Sequence, residues 1–169
     1  MTDAQRESEA HGAESRGSEP RVFEGPGQVE AAIGTHIGYS DWMEITQERI
    51  DAFADATGDH QWIHVDPDRA ATGPYGTTIA HGYLTLSLLP ELGAEIMDIR
   101  GFSMMINYGL EKVRFPAAVP VGSRIRAGIE LTSLTRKSSG LQLTSTVTVE
   151  IEGGNRPALV ADTVRLMVE

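Results

Sequence analysis

The sequence predicts an α+β domain in which a curved antiparallel sheet wraps one apolar helix. Three observations predict it. Leu141, Leu143, Val147, Val149 and Ile151 alternate with Gln142, Thr144, Thr146, Thr148, Glu150 and Glu152, the period of a half-buried strand with a wet outer face. Ile79 to Leu89 is apolar on nearly every side, which reads as a helix buried all round. Ser138-Ser139-Gly140 and Gly153-Gly154-Asn155 read as short turns, so the long segments beside them run antiparallel. The 169 residues suffice for one domain with a real core and not for two.

Composition excludes several function classes. A net charge of −10 argues against a nucleic-acid binder, which needs a basic footprint. Cysteine is absent, so neither a disulfide framework nor thiolate catalysis is open to the chain. No apolar run reaches transmembrane length. The longest, Ile79 to Leu92, is broken by His81, Gly82 and Pro90. Met1 to Pro20 is polar throughout, unlike a secretory leader, and a cytoplasmic address is the expectation.

In chain order, residues 1–24 are rich in Glu, Ser, Gly and Ala and are expected to form a disordered acidic tail. Residues 25–169 form the domain. Gly25 to Gly34 admits a short helix with Val29 and Ile33 on one side, and Gly38 to Ile45 a first strand. Thr46 suits an N-cap, and Ile50, Phe53, Ala54 and Thr57 follow at helical spacing, with Gly58 as the stop. Asp66-Pro67-Asp68 opens a turn or short helix, and Gly73-Pro74-Tyr75-Gly76 is a loop. The helix from about Ile79 should be kinked or ended by Pro90 and weakened by Gly93. At ~1.5 Å per residue it spans roughly 22–27 Å. Ser103 to Phe115 reads as a strand kinked at Gly109. Ile125, Ala127, Ile129 and Leu131 alternate with polar neighbours, as a further strand does. Val160, Val164, Leu166 and Val168 mark the last. A strand of about 11 residues reaches roughly 36 Å, enough to curl around the helix. This is the hot-dog arrangement.

Chemistry concentrates in Gly58-Asp59-His60-Gln61-Trp62-Ile63-His64 and in Ile79-Ala80-His81-Gly82. Asp59 and His64 sit just past a helix end. Trp62 and Ile63 between them would pin the loop to the core and turn both polar groups to a cavity. An imidazole with an ordinary pKa of ~6.5 beside a carboxylate suits proton transfer near neutrality. The plain alternative is a loop cap and a satisfied loop histidine. Gly82, at a helix start, offers a free N–H and lets a ligand approach without a Cβ in the way. Close helix–sheet packing is the other reading of the same glycine. His81 is expected to point away from Gly82 and to be structural. His60 and His64 stand four apart, but no third ligand suggests zinc. There is no P-loop, G-x-G-x-x-G or G-x-S-x-G, and Ser87 lies inside the helix with no elbow around it.

These two segments resemble the signature of the MaoC-like hydratases, which include (R)-specific enoyl-CoA hydratases and (R)-3-hydroxyacyl thioester dehydratases. Asn107-Tyr108-Gly109 and Val113-Arg114-Phe115 resemble the subgroup containing nodulation protein N. The likeness covers about Ile37 to Val168. Gln61 departs from the Asn of many members, and Pro90 falls near the place of a helix serine. The resemblance implies a hot-dog fold and a homodimer. It implies Asp59 and His64 as the catalytic pair and Gly82 as the oxyanion donor. It implies no metal and no cofactor, with CoA or phosphopantetheine entering as part of the substrate. Arg69, Arg114 and Arg136 are candidates for its phosphates. The expected activity is addition of water to trans-2-enoyl thioesters, or the reverse. The rivals are a hot-dog thioesterase, which would want a carboxylate on the central helix, and a non-catalytic acyl-thioester-binding subunit.

Overall fold

The computed structural model of the protein describes residues 19–169. The tail expected over residues 1–24 lies outside the described residues as far as Ser18. Beyond that the expected boundary fails. Arg21–Phe23 is a strand (β1) paired in parallel with β4 (Met97–Ile99), and Phe23 is 1% exposed. Burying one aromatic ring holds this end down, a contribution that a polar window average hides.

α1 (Pro26–Ala31) follows, with Val29 fully buried. The strand expected over Gly38 to Ile45 is two pieces, β2 (His36–Tyr39) and β3 (Met43–Glu44). Ser40 interrupts the pairing locally: its N–H donates to the Ala127 carbonyl, and its hydroxyl oxygen accepts from the Ala127 N–H, both at 2.9 Å. α2 (Gln47–Thr57) is capped as the sequence predicts. The Thr46 hydroxyl accepts from Arg49 N–H at 3.3 Å, and Gly58 closes the helix at φ 76°. Ile50 and Ala54 are its buried stripe. Two short helices, α3 (Trp62–Val65) and α4 (Pro67–Ala71), carry the chain onward, the second capped by Asp66.

The central helix differs from expectation in two ways. It begins at Gly82, not Ile79, and it is broken. α5 spans Gly82–Ser87 and α6 spans Leu89–Ala94. Ile79 and Ala80 are extended instead, Ala80 N–H donating to Val119 O at 2.8 Å. Pro90, in the first turn of α6, has no N–H to return to the Leu86 carbonyl. Nor is the helix buried all round. Leu84, Leu88, Leu89 and Leu92 face the core, whereas Tyr83, Ser87 and Pro90 are exposed.

β5 (Met104–Arg114), β6 (Arg124–Lys137), β7 (Gly140–Ile151) and β8 (Leu159–Val168) complete the fold. The six-stranded sheet runs β2-β6-β7-β8-β5, with β3 also on β6. The meander holds for β6, β7 and β8. β5 instead crosses to the far edge and pairs with β8. Its register slips between Asn107 and Gly109, at the glycine where a kink is expected. Leu141, Leu143, Val147 and Val149 of β7 join Ile125, Ala127, Ile129 and Leu131 of β6 in the core beneath α6. This is the α+β hot-dog fold.

Candidate active site

Local capping delivers the acid. Gly58 ends α2 with a left-handed turn, so Asp59 leaves a rigid helix with its side chain about half exposed. Its own Oδ1 accepts from Gln61 N–H at 3.4 Å and shapes the loop. Trp62 anchors the next turn: Arg69 stacks on its ring at 4.4 Å, and Gly73 lies so close that a Cβ there would come within 2.9 Å of the indole. α3 then turns His64 inward, where it is 7% exposed.

His64 Nδ1 lies 2.7 Å from the Ile79 carbonyl. A carbonyl only accepts, so Nδ1 carries the hydrogen and Nε2 keeps a free lone pair. His81 stacks on the same ring, centroids 3.7 Å apart and planes at 24°. Its Nε2 donates to the Asp59 carbonyl oxygen at 2.9 Å, and its Nδ1 is buried without a partner among the described residues. The Asp59 carboxylate and the two imidazoles bring a ligand atom each within 4.8 Å of one another. Burial pushes the His64 imidazole below its ordinary pKa. His81 pushes it the same way, while the Ile79 carbonyl and Asp59 oppose the shift.

Such a trio invites comparison with a metal centre, and the stacking argues against one. Lone pairs of imidazoles lie in the ring planes. An ion between these two rings would sit about half the stacking gap out of each plane, far from the in-plane bond of ~2.0–2.1 Å that zinc requires. His60, the other histidine of the motif, points away to Asp55 at 2.9 Å on the exposed face of α2.

Gly82 is the first residue of α5, so its N–H has no acceptor within its own helix. It follows His81 directly, which puts that N–H one residue from the stacked pair. A Cβ on Gly82 would meet the Phe115 ring at 3.0–3.2 Å, so the aromatic covers the helix start closely. Close packing, the plainer reading of this glycine, is what the structure shows.

Gln47, which carries no motif, ties the site together. Its Oε1 accepts from the Thr78 hydroxyl at 2.5 Å and its Nε2 donates to the His64 carbonyl at 2.8 Å. His81 also does more than expected. It caps α5 in extended geometry, which turns its ring back onto His64. Ser87 donates to the Tyr83 carbonyl within its own helix at 2.7 Å and is no nucleophile. Of the candidate phosphate-binding arginines, Arg69 lies over Trp62, Arg114 donates to the Val113 carbonyl and Arg136 pairs with Glu169.

Comparison with known proteins places this fold. The model of the MaoC like domain matches residues 28–153. The chain is 55% identical over 145 residues to 3-hydroxyacyl-thioester dehydratase Z of Mycobacterium tuberculosis, covering 85% of this chain and 96% of that protein. It is 49% identical over 142 residues to nodulation protein N of Rhizobium leguminosarum bv. viciae, covering 82% and 88%. Among solved structures, the (R)-hydratase from A. caviae involved in PHA biosynthesis superposes with a TM-score of 0.66 at 27% identity, over 79% of this chain and 95% of that one.

Proposed function

The chain belongs to the MaoC-like domain family, and from that premise we propose that it is a hydro-lyase. It adds water to trans-2-enoyl thioesters to give (R)-3-hydroxyacyl thioesters, or runs the reverse dehydration. The observation that carries the site assignment is the convergence of Asp59 and His64 with His81, the residue before Gly82 at the start of α5.

Water held between the Asp59 carboxylate and His64 Nε2 attacks C3 of the enoyl chain. His64 Nε2 takes one hydrogen of that water, while Asp59 accepts a hydrogen bond from the other. The electron pair of the C2–C3 double bond moves toward the thioester, whose oxygen gains charge and accepts from Gly82 N–H. The proton on His64 then passes to C2 on the same face. Every atom of the water ends on the product, so the reaction as written needs neither a metal nor a redox cofactor. A neutral His64, kept so by burial, is the form that can accept the proton. Gln47 fixes the backbone that presents it. CoA or an acyl-carrier phosphopantetheine carries the acyl chain, and the cytoplasm is where we place the enzyme.

The thioesterase reading has less support. The carboxylate on the central helix is Glu91, which is exposed and paired with Arg49 at 3.3 Å. A non-catalytic subunit would not need the tautomer that leaves His64 Nε2 free.

A homodimer belongs to the same proposal. β5 pairs with β8 on one side only. Met104, Met105, Ile106, Tyr108 and Leu110 leave this edge exposed and apolar, as does Tyr83 on α5. Such an edge invites pairing with a second copy.

Loss of the conjugated enoyl absorbance of crotonyl-CoA, followed by chiral analysis of the product, tests the activity. An (R)-3-hydroxyacyl product is expected. Release of free thiol instead would select the thioesterase.

A further inference from the structure

A cavity of about 260 Å³ lies between the central helix and the β5–β8 edge of the sheet. Leu86 and Pro90 line it from the helix, four and eight residues past Gly82. That spacing keeps them on the Gly82 face. Gly93, eleven residues on, continues the same face and lines an adjoining cavity of about 420 Å³. α5 runs into α6 through Leu88 at near-helical angles, φ −81° and ψ −9°. The two spaces therefore lie along the helix beyond Gly82, and they are the room that we assign to the tail of a bound acyl chain.

That route does not end in hydrocarbon. Arg165 of β8 borders both spaces, with Asn107 of β5 opposite. Its Nη2 would stand 3.3 Å from a Cβ placed on Gly93, so the guanidinium runs close under α6. Among the described residues it has no hydrogen bond and no ion pair. Burial alone lowers its pKa, with no acid nearby to offset that. Asp98, which borders the second space, is already paired with Arg100 at 2.7 Å. The guanidinium faces the two spaces with no charge of the described chain to answer it. An anion arriving from outside the chain would supply that partner.

We propose that Arg165 reads the far end of the acyl chain and that this enzyme takes thioesters whose acyl chain ends in a carboxylate. The assignment rests on the hydratase reading above. Arg165 is a specificity-determining residue and touches no reacting atom. A carboxylate entering the cavity gains a bidentate partner, whereas a methyl end leaves the guanidinium bare. At ~1.5 Å of rise per residue, Gly93 stands roughly 16 Å from Gly82. That fits a chain of about eight to ten carbons between the two contacts.

The experiment compares trans-2-decenoyl-CoA with trans-2-decenedioyl-CoA, the same chain ending in a carboxylate. Both are given to the full chain and to Arg165→Met. The wild type should favour the carboxylate-ended substrate at least tenfold in kcat/KM, and the variant should reverse that order. A wild-type preference for the methyl-ended chain overturns the proposal, and this arm needs no variant to fold. An equal loss on both substrates in Arg165→Met also overturns it. With a fall in oligomer mass, such a loss assigns Arg165 to a partner's acid; with a raised KM alone, to the carrier phosphates. If neither substrate is hydrated, the hydratase reading fails by itself. Calorimetric binding of the saturated decanoyl and decanedioyl thioesters then decides. Tighter binding of the second that depends on Arg165 upholds the inference, and equal binding overturns it.

Discussion

We assign the chemistry to His64 because three neighbours fix its state. The Ile79 carbonyl selects its tautomer, His81 stacks on its face, and burial disfavours its charge. The folded chain therefore resists protonating this ring at pH values where the unfolded chain accepts the proton. Two consequences share that sign. The acid limb of kcat/KM against pH should fall below the ordinary histidine value of ~6.5. Folding stability should also drop as pH is lowered from about 6.5 into that limb, since the unfolded state then binds more protons. A pH–rate profile and urea titrations at stepped pH check the pair. Asp59→Asn and His64→Ala should each lower turnover by about 10²–10⁴, with the circular dichroism spectrum unchanged. Near wild-type rates in both would end the assignment. Spacing and resemblance together pointed to Asp59, His64 and Gly82, and the fold brings the first two to one place. His81 was not legible: the sequence suggested a helical residue pointing away, and its extended backbone turned the ring the other way.

Among the elements, α2 was the most readable, because both its ends carry local signals. Thr46 caps it and Gly58 stops it, and neither depends on distant contacts. Gly58→Ala would force a Cβ into the left-handed region at a cost of about 1 kcal/mol, a fall of roughly 2–4 °C in Tm by calorimetry. Gln47, in the first turn of the same helix, escaped notice because a glutamine there is ordinary. Only tertiary placement makes it the link between Thr78 and His64. Gln47→Ala would leave the buried Thr78 hydroxyl and the His64 carbonyl without partners. A loss of about 1–3 kcal/mol in denaturant titrations is expected, together with slower turnover. The central helix was half readable. Pro90 announced the break, but apolar composition cannot say which side of a helix is covered, and Tyr83 and Ser87 turned out bare.

For the molecule as a whole, alternation along β6, β7 and β8 revealed the strands and their short turns. It could not reveal that β5 crosses to the far edge, since that order is set by long-range pairing. The exposed apolar edge is where we place the second copy. Tyr108→Lys with Leu110→Lys should convert a dimer into a monomer at micromolar concentration by sedimentation, because charges on an edge strand oppose edge-to-edge pairing. A wild-type chain that sediments as a monomer would sink the homodimer proposal. β1 has a practical bearing of another kind. By zipping onto Met97–Ile99 it brings Pro20 to the wall of the space that Arg165 borders. A chain cut back to Arg21 would lose that wall residue, and should admit bulkier acyl tails while leaving Asp59 and His64 as they stand.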